Sequence, residues 1–270
     1  MSMEKVNSRG LVLLGCGKMG SALLAGWLDR GVAKSAVWVL EPHPSEWLKA
    51  QDVHLNQGVP DAPAVCVLAV KPQMMGAALP SIVALGNGST LFLSIAAGTT
   101  IATFATTLGA ETPIARAMPN TPAAVGRGIT ALVANAQAGA AGLALAQDLM
   151  AAVGQVVLLD HEAQMDAVTA VSGSGPAYVF HLIEALAAAG EAEGLPPDMA
   201  MQLARATVCG AGELAFRSTE TAAHLRINVT SPGGTTAAAL SVLMDPATGF
   251  PPVLRRAVAA AAARGRELGK

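Results

Sequence analysis

A run of hydroxyls and glycines in the last quarter of the chain has the composition of a ligand-binding loop. Residues 228–236 read Asn-Val-Thr-Ser-Pro-Gly-Gly-Thr-Thr, and the apolar residues 237–244 that follow predict a helix. Adjacent glycines allow a tight turn and a close approach of the backbone to a ligand, and free N–H groups at a helix start bind anions. The run therefore predicts a site for a small carboxylate, although Ser and Thr before a helix are also ordinary caps.

A glycine motif near the N-terminus predicts a dinucleotide site. The sequence Gly15-Cys-Gly-Lys-Met-Gly20 follows the apolar run 11–14 and precedes a helical pattern at 21–30. In the dinucleotide fingerprint the first glycine makes the turn, the second admits the pyrophosphate and the third packs helix on strand. A tight strand–helix turn without a ligand has the same spacing, so the strand and helix around the motif support the prediction.

Glu41 stands where an acidic residue of this fold holds the adenosine ribose, at the end of the second predicted strand, 37–40. A carboxylate there accepts hydrogen bonds from the 2′-hydroxyl and repels a 2′-phosphate, so charge favours NADH over NADPH. The alternative is a solvated glutamate that begins a turn with Pro42.

Other predicted strands also end in residues suited to a cofactor. Lys71 follows the strand 64–70, small residues at 94–98 let a ring lie close, and Asn120 lies in the loop Met-Pro-Asn-Thr-Pro at 118–122. Ligands of open parallel sheets bind beyond the carboxyl ends of the strands. A surface lysine, and an Asn120 amide that binds neighbouring backbone, are the structural alternatives.

The order of strand and helix patterns predicts two domains. Strands are expected at 11–14, 37–40, 64–70, 90–96, 114–118, 129–134 and 155–159, with helical stretches between several of them. This βαβ alternation predicts an α/β N-terminal Rossmann domain with a doubly wound, mostly parallel sheet over residues 1–160.

After residue 160 only helical patterns remain, at 177–193, 198–217 and 252–268, which predicts an all-α dimerisation domain at 161–270. Between residues 163 and 197 the only charged side chains are Asp166, Glu184, Glu191 and Glu193. A helix this apolar is buried on more than one face. We therefore expect an intertwined homodimer, with an ordinary buried helix as the alternative.

Composition excludes several classes of function. The formal net charge of −2 provides no basic surface for nucleic acid, and no run reaches the roughly 18 apolar residues of a membrane helix. The cysteines, Cys16, Cys66 and Cys209, are widely spaced in apolar surroundings. They suit the reduced thiols of a cytoplasmic protein better than disulfides or a metal site.

Several motifs together resemble the pyrroline-5-carboxylate reductase family. They are Gly15–Gly20, Ala-Val-Lys-Pro at 69–72, Met-Pro-Asn-Thr-Pro at 118–122, Ser-Gly-Ser-Gly-Pro-Ala-Tyr at 172–178 and Ser-Pro-Gly-Gly-Thr-Thr at 231–236. The resemblance implies NAD(P)H-dependent reduction of 1-pyrroline-5-carboxylate to L-proline, the last step of proline biosynthesis. It also implies a Rossmann domain, a helical dimerisation domain, and dimers that often assemble further into decamers.

The resemblance assigns residues as well as a reaction. It implies cofactor contacts at Leu14, Gly15, Cys16, Gly17, Lys18, Met19, Asn56, Ala69, Val70, Lys71, Pro72, Ile95, Ala96 and Ala97, besides Gly20, Glu41 and Asn120 inferred above. It implies that Asn228 reaches the cofactor from the helical domain, and that Glu162, Thr235 and Thr236 contact the substrate.

Within the hydroxyl-rich loop, we expect the N–H groups around Ser231, Gly233, Gly234 and Thr235 to hold the substrate carboxylate. Thr236 is the expected catalytic group, one that aligns the imine while the proton comes from water. Glu162 is expected to favour a cationic imine nitrogen, or else to be a carboxylate at a helix start. Many family members have Ser or Thr where this chain has Glu41-Pro42, which supports the inference of NADH from charge.

Three alternatives share parts of this pattern. A β-hydroxyacid-dehydrogenase-like enzyme requires a catalytic lysine in the second domain, and no lysine lies between Lys71 and Lys270. Another NAD(P)-dependent cyclic-imine reductase, or an enzyme that reduces a deazaflavin, is distinguished less well by these motifs. A non-catalytic dinucleotide-binding regulator has no need for a second pocket for a small anion.

Overall fold

A computed structural model describes residues 2–268 and shows two compact units. Of the described residues, those up to Gly173 and those from Ala261 onward form the first unit, and Ser174–Ala260 form the second. The domain boundary predicted at 160/161 stays a prediction, because compact units follow packing and need not coincide with the domains of a family.

The first unit is built on one eight-stranded sheet. Its spatial order is β3-β2-β1-β4-β5-β6-β7-β8, and neighbouring strands are parallel except for the antiparallel pair β6 and β7. The strands are β1 (Leu11–Leu14), β2 (Val37–Leu40), β3 (His54–Leu55), β4 (Val65–Leu68), β5 (Leu91–Ser94), β6 (Ile114–Met118), β7 (Gly128–Ala134) and β8 (Gly154–Leu158). The order 3-2-1-4-5-6 is that of Rossmann folds, which confirms the predicted doubly wound, mostly parallel sheet.

Every strand predicted from the sequence is present, and one strand was missed. All four residues of β4 are buried, as are those of β5, which explains why both read as continuous apolar runs. The missed strand, β3, has only two residues, His54 and Leu55, and is too short to show a period.

Helices cover both faces of this sheet. They are α1 (Ser2–Arg9), α2 (Lys18–Asp29), α3 (Glu46–Lys49), α4 (Met75–Ala78), α5 (Ile101–Leu108), α6 (Gly139–Met150) and α7 (Met165–Val168). Short 3-10 helices lie at Lys34–Ala36, Pro72–Met74, Leu79–Ser81, Val83–Leu85, Thr121–Val125, Ala151–Val153 and Glu162–Gln164, and a π-helical turn spans Thr169–Gly173.

The N-terminus of α2 and the helix α1 differ from the sequence expectation. The motif residues Lys18–Gly20 already form the first turn of α2, so this helix begins before the pattern at 21–30. Its end is as expected, because Gly31 follows with φ of +91°. The sequence did not predict α1, whose residues are mostly polar.

The apolar core of the first unit has one layer on each face of the sheet. One layer includes Leu13, Leu23 and Trp27, and the other includes Phe92 and Phe104. Burial on both faces fixes the register of the strands, because a shift by one residue would reverse every side chain. The carboxyl ends of the strands are therefore held in fixed relative positions.

The second unit is helical in the residues described, as predicted. Its helices are α8 (Gly175–Ala192), α9 (Pro197–Arg217), α10 (Ala222–Asn228), α11 (Thr235–Leu243) and the start of α12 (Phe250–Leu268). Pro196 is the N-cap of α9 and Pro197 its first residue, so this helix begins one residue before the predicted pattern at 198–217. In the described part of the chain, no helix is both long and apolar enough to cross a membrane.

We predict that Trp27→Phe lowers the free energy of unfolding by roughly 1–3 kcal/mol, because a buried carbonyl loses its donor. Trp27 is fully buried, and its Nε1 donates to the carbonyl of Leu149 over 2.9 Å. The matched control is Trp47→Phe, at a side chain that is 39% exposed, with an expected loss below about 0.5 kcal/mol. Urea denaturation followed by circular dichroism measures both, and equal losses would contradict the prediction.

Candidate active site

A cavity of about 780 Å³ opens at the carboxyl ends of β1, β2 and β4, within the first unit. Because the strand order reverses between β1 and β4, this is the place where doubly wound sheets bind their ligands. Its volume lies in the range of small-molecule sites, roughly 300–1,000 Å³. It is lined by Leu14, Gly15, Gly17, Leu40, Glu41, Pro42, His43, Asn56, Ala69, Val70, Lys71, Gln73, Met74, Ala77, Ala78 and Ser81.

The three motif glycines have three different environments. Gly15 has φ of +90°, and a Cβ there would lie 2.7 Å from Cγ1 of Val70. A Cβ on Gly20 would lie 2.8 Å from the carbonyl oxygen of Gly15, so this glycine lets helix α2 approach the turn. A Cβ on Gly17 would meet no protein atom within 4 Å, which leaves room for a pyrophosphate at the start of α2.

Glu41 lies at the predicted place, and its carboxylate has two backbone partners. Oε2 accepts the N–H of Cys16 over 2.8 Å, and Oε1 accepts the N–H of His43 over 2.9 Å. The carboxylate therefore holds the glycine turn to the end of β2 while it also lines the cavity. In Rossmann folds an acidic residue at this place binds the 2′-hydroxyl of the adenosine ribose, and for Glu41 this contact stays a prediction.

Asn56 fixes the backbone of Glu41 from the opposite side. Its Oδ1 accepts the N–H of Glu41 and its Nδ2 donates to the carbonyl of Glu41, both over 2.9 Å. Asn56 has φ of +54°, a conformation that Asn tolerates better than most residues. The side chain therefore positions Glu41, besides lining the cavity as the sequence predicted for a cofactor contact.

The thiol of Cys16 is not suited to nucleophilic chemistry. It is only 5% exposed, and burial, with a smaller contribution from the nearby Glu41 carboxylate, raises its pKa despite a hydrogen bond with Ser21 that lowers it. A thiol with a raised pKa stays protonated near neutral pH, and the thiolate is the reactive form. The raised pKa of Cys16 therefore gives no support to a covalent role for the glycine turn, and its predicted role in binding a ligand stays a prediction.

The far end of the cavity is apolar and was not predicted from the sequence. Val70 lies two residues after the end of β4, and Met74, Ala77, Ala78 and Ser81 line the wall formed by the short helices that follow. The residues between 73 and 81 form two 3-10 helices and one turn of α-helix, which show no clear period, and so this wall carried no recognisable signal.

The structure brings together part of the predicted cofactor set. Of the predicted residues, Leu14, Gly15, Gly17, Glu41, Asn56, Ala69, Val70 and Lys71 line the cavity. Cys16, Lys18, Met19 and Gly20 belong to the same turn and the first turn of α2, and Pro72 follows Lys71 in a 3-10 helix. The roles of all these residues in cofactor binding stay predictions.

The remaining predicted residues of the first unit lie along the next strands. Ile95, Ala96 and Ala97 follow β5, and the N–H of Ile95 donates to the carbonyl of Leu68 on β4 over 3.1 Å. Asn120 is almost buried, accepts the N–H of Ile129 through Oδ1 and donates through Nδ2 to the carbonyl of Ser172. These bonds match the backbone alternative for Asn120.

Glu162 is held by Arg116, which was not among the residues predicted from the sequence. Its Oε1 accepts from Nη1 of Arg116 over 2.8 Å and from the N–H of Ile101 over 2.9 Å. Arg116 lies on β6 and is 4% exposed. Arg116 was not recognised from the sequence, because it lies in an apolar strand and nothing in the sequence links it to a carboxylate 46 residues away.

The hydroxyl-rich loop lies in the second unit and starts helix α11. Gly233 has φ of +69° and Gly234 is the N-cap, without a side-chain cap bond. Thr235 and Thr236 form the first turn, so the N–H groups at this helix start have no side-chain cap. Asn228 ends α10, and its Nδ2 donates to Oε2 of Glu220 over 2.9 Å.

Among the described residues, no group of three or more His, Cys, Asp or Glu side chains is arranged to hold a metal ion. The cavity instead offers a glycine turn, a helix start, a carboxylate and an apolar wall. This set fits a dinucleotide.

Comparison with known families agrees with this description. Residues 10–98 match a family model described as NADP oxidoreductase coenzyme F420-dependent. Residues 162–268 match a family model described as pyrroline-5-carboxylate reductase dimerisation. The second match covers the helical part of the chain and includes the hydroxyl-rich loop.

Relatives of similar length carry one name. A pyrroline-5-carboxylate reductase of Pseudomonas aeruginosa is 41% identical over 265 residues, covering 96% of each chain. The enzyme of that name from Synechocystis is 42% identical over 267 residues, covering 96% of this chain and 98% of its own. A solved structure of a pyrroline-5-carboxylate reductase from Coxiella burnetii has a TM-score of 0.88 at 34% identity, covering 98% of this chain and all of that one.

The fold and site define an NAD(P)H-dependent oxidoreductase with a Rossmann domain. More narrowly, the chain belongs to the pyrroline-5-carboxylate reductase family, as the match at 162–268 and the full-length relatives show. The resemblance seen in the sequence is confirmed. The match to the F420-dependent family is confined to the dinucleotide-binding part, so it does not favour the deazaflavin alternative.

We predict that Gly17→Ala leaves folding intact and weakens dinucleotide binding at least about tenfold, because the new methyl enters the space for the pyrophosphate. The backbone of Gly17 has φ of −71°, which alanine adopts without strain. Isothermal titration with NADH and NADPH measures the dissociation constants. In contrast, Gly15→Ala is expected to lower the unfolding midpoint itself, because its φ is positive and its Cβ would clash with Val70. Unchanged affinity in Gly17→Ala would refute the placement of the pyrophosphate.

Proposed function

We propose that this chain reduces 1-pyrroline-5-carboxylate to L-proline with the cofactor held by the first unit and the substrate carboxylate held at the start of α11. The reaction follows from membership of the family, and the roles of individual residues are the proposal. The observation that supports the substrate assignment is the glycine-bounded start of α11, which has no side-chain cap.

The first unit has the groups needed to bind and orient the cofactor. The turn at Gly15 and Gly17 and the N-terminus of α2 face the pyrophosphate, which a helix start attracts. Glu41 accepts hydrogen bonds from the adenosine ribose, and the apolar wall at Met74 and Ala77 holds the base. When bound, the cofactor supplies the hydride.

Groups on the loop 231–236 bind and aim the substrate. The N–H groups near Ser231, Gly233, Gly234 and Thr235 donate to its carboxylate, with the helix start contributing roughly 0.3–1 kcal/mol. Thr236 aligns the ring nitrogen so that the imine carbon faces the hydride donor. Orientation of this kind supplies several kcal/mol of rate acceleration.

The reaction needs no strong acid from the protein. Hydride adds to the imine carbon, the C=N π-electrons move to nitrogen, and nitrogen keeps the proton that it took from water. The threonine hydroxyl is a weak acid, so its role is alignment. Asn228, which reaches the cofactor in our proposal, is held at the end of α10 by Glu220.

The second unit supplies the surface for self-association. The chain forms a homo-oligomer, as its match to a dimerisation family indicates, and we propose a dimer that assembles further into decamers. Large apolar side chains on its helices support this, since Phe180, Leu214 and Val242 are each more than half exposed in the single chain. Exposed apolar area of this kind marks a protein interface.

We place the reaction in the cytoplasm. The three cysteines are free, and two of them, Cys16 and Cys66, are buried. Burial raises the pKa of the Cys66 thiol strongly. Unpaired thiols persist in reducing compartments.

We predict that Thr236→Ala keeps the fold and lowers kcat about ten- to a hundredfold, because one hydrogen bond that strengthens in the transition state is lost, at roughly 1–3 kcal/mol. Thr236→Ser keeps the hydroxyl and should restore most of the rate. The control is Ser241→Ala in the same helix, where the hydroxyl donates to the carbonyl of Ala238. Oxidation of NADH or NADPH followed at 340 nm with 1-pyrroline-5-carboxylate measures kcat; wild-type rates in Thr236→Ala would remove this assignment.

We predict a higher kcat/KM with NADH than with NADPH, and a shift towards NADPH in Glu41→Ser. The Glu41 carboxylate repels a 2′-phosphate by about 1 kcal/mol or more even when well solvated, which corresponds to at least roughly fivefold. Serine is too short to replace both acceptors that Cys16 and His43 use, so the unfolding midpoint of the variant is measured beside kcat/KM. A wild-type preference for NADPH would contradict the argument from charge.

A further inference from the structure

Arg116 is buried, charged and without a role in the reaction described above. Among the residues whose burial the structure describes, it is the one charged residue that is buried. It lies on β6 in register with Ser94 of β5. A buried guanidinium costs several kcal/mol to desolvate unless it is paired, and its partner here is Glu162. The role of this ion pair in the protein therefore requires an explanation.

The carboxylate oxygen that binds Arg116 also binds a helix start. Oε1 of Glu162 accepts the N–H of Ile101, the first residue of α5, over 2.9 Å, and Nη1 of Arg116 over 2.8 Å. The first N–H groups of a helix have no partner within the helix. The pair therefore links three segments of the first unit: β6, the 3-10 helix after β8, and the end of the loop between β5 and α5.

This loop, residues 95–100, lies beside the cavity-lining end of β4. Its first N–H, on Ile95, donates to the carbonyl of Leu68 on β4, and the residues after β4, Ala69 to Lys71, line the cavity. In the 3-2-1-4-5-6 order the adenosine half of a dinucleotide lies over β1 to β3, where Glu41 stands. The other half therefore extends over β4 to β6, towards this loop.

We propose that the Arg116–Glu162 ion pair fixes the β5–α5 loop for the nicotinamide half of the dinucleotide. Glu162 is then a positioning residue and not the counter-ion of a cationic imine. Arg116 balances the negative charge of Glu162. Oε1 of Glu162 accepts both hydrogen bonds, so the carboxylate holds the backbone N–H of Ile101 in place. The inference rests on the proposed function only in taking the ligand to be NADH or NADPH.

One substitution removes the backbone N–H that Glu162 binds and leaves both charged side chains, Arg116 and Glu162, unchanged. Ile101→Pro deletes the N–H that Glu162 accepts, and proline is favoured as the first residue of a helix. Thr100 before it has φ of −83° and ψ of 160°, which suits the residue that precedes a proline. The matched control, Ile101→Ala, keeps the N–H and removes the same side chain.

A second variant removes the pair from the other end. Arg116→Met combined with Glu162→Leu deletes both charges together, so that no unpaired charge stays buried. Glu162→Gln keeps an oxygen that accepts both bonds and removes only the negative charge. The exposed pair of Lys49 and Glu46 provides a surface control, Glu46→Gln.

The test of this proposal is the dissociation constant for NADH and for NADPH. Both are measured by isothermal titration on the intact protein without imine. Ile101→Pro and the double variant are expected to raise the constant about three- to tenfold, because the competent loop conformation becomes less populated. Ile101→Ala and Glu46→Gln are expected to change it by less than about twofold, and Glu162→Gln, which keeps an acceptor but leaves the buried Arg116 charge uncompensated, is expected to raise it by an intermediate amount. Unfolding midpoints identify any variant that fails to fold, and the other variant then decides.

Two results would overturn the proposal. One is unchanged dinucleotide affinity in a folded Ile101→Pro or double variant. The other is a Glu162→Gln enzyme with wild-type dinucleotide affinity but a raised KM for the imine and a shifted pH profile of kcat, as a counter-ion predicts. Failure of the wild-type protein to reduce 1-pyrroline-5-carboxylate would refute the proposed function alone, because the titrations contain no imine.

Discussion

The reversal of strand order between β1 and β4 is the constraint on which the rest of the structure depends. Parallel strands on either side of this point send their connections to opposite faces of the sheet, and a crevice opens between them. The turn at Gly15, the end of β2 at Glu41 and the segment after β4 meet there because burial on both faces fixes the strand register. The cavity is therefore a consequence of topology, and the glycines only make it accessible to a ligand.

Two carboxylates hold loops of the first unit by accepting backbone N–H groups, and one of them, Glu41, lines the cavity. Glu41 accepts the N–H of Cys16 in the glycine turn, and Glu162 accepts the N–H at the start of α5. Both join a loop at the carboxyl end of the sheet to a distant segment of the chain. A loop held in this way loses less conformational freedom when a ligand binds, which is the physical meaning of pre-organisation.

The sequence predicted some features of the site better than others. The glycine turn and Glu41 were found because their function depends on local spacing, and both line the cavity. Arg116 was missed because its partner is 46 residues away, and the apolar wall at 73–81 was missed because short helical turns leave no period. Glu162 was noticed through the family resemblance, but its bonds to Arg116 and Ile101 became visible only in the folded chain.

The sequence by itself determined the alternation of strands and helices, the glycine turn and the family, because each depends on residue type and on spacing over a short range of the chain. The tertiary structure alone decided the order of the strands, the wall of the cavity, and which groups the carboxylates of Glu41 and Glu162 bind. Those features depend on contacts between residues far apart in the chain, and burial selects such contacts through packing and through the need to satisfy every buried polar group. The sequence leaves open whether a carboxylate binds a ligand or a helix start. The hydrogen-bond donors that the fold places beside the carboxylate decide between the two.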